Sequence, residues 1–272
     1  MTVVRHEGTP GPELLVPSAE EELSGLVKEG PSFLQPRQGY RFSIDPLLLA
    51  GFSRLKDGWR VLDLGAGCGV AGLLLAWAHP LVQVTCLEIQ PRLAELAWRN
   101  AWLGGLQERV EVVRGDLCQA DLFPQGSFQA IVTNPPFRPL GVGRLGPDQE
   151  RNQARHELTC TLADWTEAAA RWLTPGGRLF TVYPAWRLAG LLIGLAAAGL
   201  TPKRLRPVFE RPGGEGRLVL VEAALRAGEE LRLEPPFFLH QTPAGRAGPG
   251  GDDKDWSQEM KTLFSGRLLS AV

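Results

Sequence analysis

The stretch Arg60-Val-Leu-Asp-Leu-Gly-Ala-Gly-Cys-Gly69 decides the fold of this chain. Its apolar beginning predicts a buried strand. The three alternate glycines at its end, Gly65, Gly67 and Gly69, predict a tight turn in which the backbone can approach a ligand closely. The small residues and leucines of Val70–Ala78 then predict a helix. Strand, glycine turn and helix in this order are typical of an α/β sheet.

The same alternation continues on the carboxyl side of this stretch. Further strands are predicted at Gln83–Ile89, Val110–Val113, Phe128–Thr133, Arg178–Tyr183, Lys203–Phe209 and Arg217–Leu225. Helices are predicted from Pro91 to the Gly104-Gly105 pair, near Leu158–Leu173 and at Trp186–Ala198. Alternating strands and helices predict an α/β fold, Rossmann-like, with a mainly parallel sheet and helices on both faces. Ligands of such sheets bind outside the carboxyl ends of the strands.

The composition excludes several other classes of protein. The 272 residues are 44% hydrophobic and 22% charged, which is ordinary for a globular chain. Its 29 basic and 30 acidic residues give a net charge of −1, so any contact with nucleic acid must use a local patch. The four cysteines form no C-x-x-C pair, so we expect no metal site and a reduced, cytoplasmic location. We expect no membrane contact, because the longest apolar run (188–200) is shorter than the roughly 20 residues of a membrane helix.

Three segments are expected along the chain. Residues 1–32 are predicted to form a flexible N-terminal extension. Residues 33–230 are predicted to form the α/β domain. Residues 231–272 are predicted to form a C-terminal extension that packs on this domain, with a flexible loop at 243–251. The sequence does not indicate an oligomeric state.

Acidic residues end the second and third predicted strands, at Glu88 and Asp116. With the glycine turn they allow two interpretations. Gly67-x-Gly69-x-x-Gly72 matches the dinucleotide fingerprint, and Glu88 lies nineteen residues beyond Gly69, as a ribose-binding acid would. This interpretation predicts an oxidoreductase that uses a nicotinamide cofactor. The other interpretation depends on the fourth strand.

The fourth predicted strand ends in Asn134-Pro-Pro-Phe137. The two prolines fix their φ angles and remove two N–H donors, so the loop is stiff and its carbonyls stay available. The side-chain oxygen of Asn134 and the carbonyl of Pro135 can both accept hydrogen bonds from an NH₂ group. Phe137 offers a face on which an extruded base can stack. A nicotinamide enzyme has no use for this string at that position.

The chain resembles the class I S-adenosylmethionine-dependent methyltransferases in both strings. Residues 63–69 resemble their motif I, and residues 134–137 resemble the (Asn/Asp)-Pro-Pro-(Tyr/Phe) signature of members that methylate planar nitrogens: adenine N6, guanine N2 or the glutamine amide. The resemblance implies that Glu88 binds both ribose hydroxyls and that Asp116 lies near the adenine of the cofactor. The implied S-adenosylmethionine site is Asp63, Gly65, Ala66, Gly67, Gly69, Glu88, Ile89, Asp116, Leu117 and Asn134. The implied catalytic residues are Asn134, Pro135, Pro136 and Phe137.

Two further segments are similar to the bacterial tRNA(Val) adenine-N6 methyltransferases. They are the upstream segment, residues 35–52, and Ala154-Arg-His-Glu157. The resemblance implies an RNA substrate, with adenine N6 of a tRNA as the methylated atom. Phe137 stands where the best-known members carry Tyr, and Phe is also found in guanine-N2 enzymes. A guanine-N2 or a glutamine-amide methyltransferase therefore stays open, although the glutamine-amide branch normally has a larger N-terminal domain.

Basic residues in two places are candidates for contacts with RNA. Arg37, Tyr40 and Arg41 belong to the upstream segment. Lys203, Arg204 and Arg206 belong to the stretch 201–217, which holds five basic and two acidic residues. Phosphate groups position a nucleic acid on a protein, and clustered Lys and Arg side chains are their usual partners. We therefore predict substrate contacts at both places.

Overall fold

The computed structural model describes residues 4–5, 8–38, 41–135, 160–244 and 255–267. Four predicted features lie outside these ranges: Tyr40, Pro136 with Phe137, the 154–157 segment, and most of the 243–251 loop.

A ten-stranded sheet forms the centre of the described chain. The strands, in chain order, are β1 (Val4–Arg5), β2 (Glu21–Gly25), β3 (Ser32–Pro36), β4 (Arg60–Leu64), β5 (Gln83–Glu88), β6 (Val110–Arg114), β7 (Phe128–Thr133), β8 (Leu173–Pro184), β9 (Leu200–Phe209), β10 (Gly216–Leu225), β11 (Arg232–Leu233) and β12 (Phe237–Phe238). The order across the sheet is β1-β6-β5-β4-β7-β8-β10-β9-β11, and β12 also pairs with β9. Strands β2 and β3 form a separate hairpin.

Five neighbouring strands, β6-β5-β4-β7-β8, are parallel. Strand β10 runs antiparallel to both β8 and β9. The chain leaves β4 toward β5 on one side and later returns to β7 on the other, so the order of strands reverses between β4 and β7. The carboxyl ends of these two strands therefore border the crevice in which such sheets bind ligands.

Helices cover both faces of the sheet. They are α1 (Asp45–Phe52), α2 (Val70–Ala78), α3 (Pro91–Leu103), α4 (Leu162–Trp172), α5 (Leu188–Ala197) and α6 (Gln258–Phe264). Helices α1, α2, α3 and α6 contribute to one buried apolar cluster, and α4 and α5 contribute to a second. The predicted fold class is thereby confirmed: an α/β, Rossmann-like sheet, mainly parallel and covered on both faces.

The N-terminal part differs from the flexible extension predicted for residues 1–32. Residues 21–25 pair with β3, and Glu21 is buried against Arg99 of α3. Two nitrogens of Arg99 donate to the two oxygens of Glu21, at 2.8 and 2.9 Å. Charged residues are almost never fully buried unless they are paired, and composition cannot show a partner 78 residues away.

The C-terminal residues pack on the domain. Strands β11 and β12 extend the sheet beyond β9. Helix α6 buries Met260 and Leu263, and Leu263 lies directly against Gly51 of α1. The sequence predicted that this segment packs on the domain, and the structure shows in addition that it adds strands to the sheet.

Candidate cofactor and substrate site

Hydrogen bonds tie together the carboxyl ends of four neighbouring strands. They run from Thr133 Oγ1 to the Leu64 carbonyl (2.8 Å), from the Ala66 N–H to the Leu87 carbonyl (2.9 Å) and from the Gly115 N–H to the Glu88 carbonyl (3.1 Å). Thr133 precedes Asn134, and Gly115 precedes Asp116. The structure thus brings the glycine loop, Glu88, Asp116 and Asn134 to one edge of the sheet.

The glycine loop (residues 65–69) requires glycine at all three predicted positions. The φ angles of Gly65, Gly67 and Gly69 are +75°, +59° and +86°, a region that other residues rarely adopt. A Cβ on Gly69 would lie 3.1 Å from the Cβ of Ala97, whereas a Cβ on Gly65 would project into open space. The loop is therefore packed tightly against α3 on one side and open on the other.

Glu88 holds the middle of the glycine loop. Its side chain is buried, with Oε2 accepting from the Gly67 N–H (2.8 Å) and Oε1 from the Gln90 N–H (2.9 Å). Each oxygen of a carboxylate can accept more than one hydrogen bond, and hydroxyls are suitable donors. Asp116 is half-buried, and its Oδ1 accepts from the Cys118 N–H at 2.9 Å. Both acids follow the strand ends predicted for them, with Ile89 and Leu117 half-buried beside them.

Asp63 holds the loop from within the fold. Its side chain is buried, and Oδ2 accepts from the Gly72 N–H of α2 at 2.7 Å. Burial, with a smaller contribution from the charge of Glu88, raises the pKa of Asp63 from 3.8 to about 7. The structure thus supports a positioning role for Asp63, while its predicted contact with a cofactor stays a prediction.

Asn100 belongs to the site, although the sequence analysis did not single it out. Its Oδ1 accepts from the Leu34 N–H (2.7 Å), and its Nδ2 donates to the carbonyls of Leu34 (3.0 Å) and Cys68 (2.9 Å). One buried amide thereby joins α3, β3 and the glycine loop. The sequence offers one indication of this role. Asn100 follows Leu96 by four residues, so a polar side chain stands on the apolar face of the predicted helix.

Asn134 differs from Asp63, Glu88 and Asp116, whose side chains accept backbone hydrogen bonds. Its Oδ1 is buried and accepts no hydrogen bond within the described part of the chain. A buried acceptor without a donor costs about 1–3 kcal/mol, so it suits a site that a ligand completes. Pro135 lies beside it and lines a cleft of about 170 Å³. The other residues that line the cleft are Cys160, Thr161, Leu162, Trp165, Tyr183 and Arg187.

The upstream segment is fixed to the β2–β3 hairpin. Gln35 is buried and donates from Nε2 to Glu22 Oε1 at 2.8 Å. The half-exposed Arg41 forms an ion pair with the same Glu22, and Arg37 is exposed. Two residues of this segment were predicted to contact the substrate and are described. Arg37 is exposed to solvent, whereas the guanidinium of Arg41 is paired with Glu22.

The second predicted group of RNA contacts is wrong for Arg204. Its side chain is only 7% exposed and pairs with Glu222 (2.8 Å) and Glu234 (3.1 Å). Lys203 pairs with Glu230 at 3.0 Å, and Arg206 pairs with Glu259 at 2.7 Å. Local charge counting failed here because the acidic partners come from β10 and from the C-terminal residues. These three cations of β9 therefore pair with β10 and with the residues that follow it.

A comparison with family models matches residues 45–186 to the methyltransferase small domain. The match spans more than half of the 272 residues. The chain belongs to the methyltransferase small domain family. This membership decides between the two interpretations of the glycine turn, and the oxidoreductase is no longer supported.

Two curated relatives of this family member carry the same name, tRNA1(Val) (adenine(37)-N6)-methyltransferase. The protein from Porphyromonas gingivalis is 35% identical over 164 residues, which are 59% of this chain and 64% of the relative. The protein from Tolumonas auensis is 31% identical over 196 residues, which are 72% of this chain and 81% of the relative. The match thus spans less than two thirds of the first relative and most of the second.

Solved structures show the fold of the family. A crystal structure of a predicted O-methyltransferase from Agrobacterium tumefaciens superposes with a TM-score of 0.64 at 22% identity, covering 82% of this chain and 96% of the other. A SAM-dependent O-methyltransferase from Thermotoga maritima has a TM-score of 0.51 at 19% identity, covering 71% and 69%. At these identities the likeness concerns the fold alone.

The described residues were also searched for membrane-spanning helices and for groups of metal-binding side chains. No helix within the described ranges is long and apolar enough to cross a membrane. Within the same ranges, no three His, Cys, Asp or Glu side chains are grouped to hold a metal ion.

Proposed function

We propose that this family member methylates an exocyclic base nitrogen of RNA, and that the nitrogen is N6 of an adenine in a tRNA. The observation that carries the proposal is the buried Oδ1 of Asn134, which has no donor within the described ranges and lies one strand away from the glycine loop. Such an acceptor suits a substrate that brings an N–H donor. The names of the curated relatives support tRNA as the substrate. We also propose a cytoplasmic place of action, which the absence of a C-x-x-C pair in the sequence favours.

The residues at the neighbouring strand ends fit S-adenosylmethionine. The open space beside Gly65 leaves room for a ligand close to the backbone. Glu88 can accept from two adjacent ribose hydroxyls while it holds Gly67. When bound, S-adenosylmethionine supplies an electrophilic methyl group. We propose that it is held by Gly65, Ala66, Gly67, Gly69, Glu88, Ile89, Asp116 and Leu117, with Asn134 at its reactive end.

Asn134 and Pro135 orient the nitrogen that is methylated. The amide oxygen and the proline carbonyl each accept one hydrogen of the NH₂ group, which turns the nitrogen lone pair out of conjugation with the ring. Alignment of this kind can supply several kcal/mol of a barrier. A neutral exocyclic amine needs no general base for attack, because its proton can pass to water afterwards. In the same proposal, Pro136 stiffens the loop and Phe137 stacks on the extruded base.

Nucleoside mass spectrometry tests this proposal. Total tRNA is incubated with the protein and isotope-labelled S-adenosylmethionine, and then digested to nucleosides. Labelled N6-methyladenosine is the expected product. Labelled N2-methylguanosine would move the target to guanine, and label found only on a glutamine amide of a protein would overturn RNA as the substrate.

A further inference from the structure

A short 3-10 turn, Ala185–Arg187, directly follows β8. Strands β7 and β8 are parallel and in register at Thr133 and Thr181, so both end at the same edge of the sheet. The turn therefore lies on the same side of the molecule as Asn134. Its central residue, Trp186, exposes 67% of its surface. A tryptophan this exposed leaves a large aromatic face available at the edge where the substrate is expected.

Arg187 connects this aromatic face with the substrate cleft. It lines the cleft together with Pro135. The central carbon of its guanidinium lies 5.6 Å from the ring centre of Tyr183 and 5.7 Å from that of Trp186, within cation–π range of both. The turn thus combines an exposed aromatic ring and a permanent positive charge beside the proposed catalytic loop.

We propose that this turn binds the RNA nucleotide adjacent to the target adenine, an inference that rests on the proposed function. Extrusion of the target base into the cleft leaves its neighbour without one stacking partner. The ring of Trp186 replaces that partner, and Arg187 contacts the phosphate that joins the two nucleotides. Proteins that hold single-stranded nucleic acids use this combination of an aromatic platform and a cation.

Charge distribution favours an RNA segment as the occupant of this surface. The chain has a net charge of −1, so RNA must be attracted by local cations. The cations predicted for this role at Lys203, Arg204 and Arg206 are engaged in ion pairs with acidic side chains. Arg187 lines the cleft and lies within cation–π range of the Tyr183 and Trp186 rings, so it brings a positive charge to this edge.

Strand β11 offers a matched control pair, Arg232 and Leu233. Both residues are exposed, and β11 ends the sheet on the far side of β9. Leu233→Ala removes an exposed apolar side chain, as Trp186→Ala does, and Arg232→Gln removes a positive charge, as Arg187→Gln does. Neither substitution in β11 alters the edge that holds Asn134.

The test measures binding of a short anticodon stem-loop RNA, with an unpaired adenine 3′ of the anticodon, to the full chain saturated with S-adenosylhomocysteine. Trp186→Ala is expected to weaken binding about 5- to 150-fold, the range for loss of one stacked base. Trp186→Phe is expected to bind within a few-fold of the wild type, and Trp186→Leu as weakly as Trp186→Ala. Arg187→Gln is expected to lower the slope of log affinity against log salt by about 0.7. Leu233→Ala and Arg232→Gln are expected to change neither quantity.

The outcomes separate this inference from the proposed function. Methylation of the stem-loop by the wild type, with Trp186→Ala binding as tightly as Leu233→Ala, would overturn the inference alone. Equal binding of the Leu and Phe variants would overturn stacking as its basis. A wild type that neither binds nor methylates the RNA would overturn both. Affinity for S-adenosylhomocysteine, measured by calorimetry, should stay unchanged in all these variants, which verifies that they are folded.

Discussion

The two halves of the crevice are built differently. At the ends of β4 and β5, the Asp63, Glu88 and Asn100 side chains accept hydrogen bonds from the backbone of Gly72, Gly67 and Leu34. At the end of β7, the Asn134 oxygen is buried and has no such donor among the residues that the structure describes. The first half is thus preorganised by the protein, whereas the second half is the one that, in the proposed function, the substrate completes. Substitutions in the two halves should therefore separate stability from activity.

The largest effect is expected in the β7 half. Asn134→Ala should lower methyl transfer by about a hundredfold or more, because a misaligned nitrogen loses that much in rate. The same substitution should leave the free energy of unfolding unchanged or raise it, since it removes a buried acceptor that no described residue satisfies. Single-turnover methylation and thermal unfolding measure the two quantities. Near-normal turnover would contradict the proposed role of Asn134.

In the β4–β5 half, the largest effect is expected at Asn100. Asn100→Ala leaves the Leu34 N–H and two carbonyls without their partner, and should lower the free energy of unfolding by about 3 kcal/mol. Cofactor affinity should fall as well, because the amide holds the Cys68 carbonyl of the glycine loop. Chemical denaturation and calorimetry with S-adenosylhomocysteine give both numbers.

Gln129 provides the control for Asn100. Its Oε1 also accepts from a backbone N–H, that of Arg60 at 2.8 Å, but this hydrogen bond is exposed to solvent. Gln129→Ala should therefore cost no more than about 0.5 kcal/mol, because water can replace the amide. Equal losses in the two variants would show that Asn100 is no more important than a surface amide.

Glu88 belongs to the preorganised half and is also proposed to bind the ligand. Glu88→Ala is expected to weaken binding of S-adenosylhomocysteine by about 1.5–3 kcal/mol, the usual value of a hydrogen bond to a charged group. Glu88→Gln keeps an oxygen for the Gly67 N–H, so it should lose less affinity. Calorimetry measures both variants, and an unchanged affinity in Glu88→Ala would remove this residue from the site.

The sequence was sufficient for the parts of the molecule that depend on local patterns. Strand β7 and helix α2 begin and end where they were predicted, since apolar runs and glycine or proline mark their boundaries. The gathering of Glu88, Asp116 and Asn134 followed from the rule that parallel strands end at one edge. Partners distant in sequence could not be predicted. Arg204 looked like a free cation because its acidic partners lie 18 and 30 residues further along the chain.

The last prediction is a pH dependence of stability caused by Asp63. Its pKa is raised to about 7 in the folded protein, whereas an unfolded aspartate titrates near 4. Between these values the folded state binds the extra proton, so the free energy of unfolding falls as pH rises from about 4 to 7, by at most about 1.4 kcal/mol per pH unit. Asp63→Asn stays neutral, and its Oδ1 can still accept from Gly72, so its stability should lack this decline. Denaturation curves at several pH values compare wild type and Asp63→Asn, with the exposed Asp121→Asn as control. If the stability of Asp63→Asn declined with pH as much as that of the wild type, a group other than Asp63 would cause the decline, and the raised pKa of Asp63 would be contradicted.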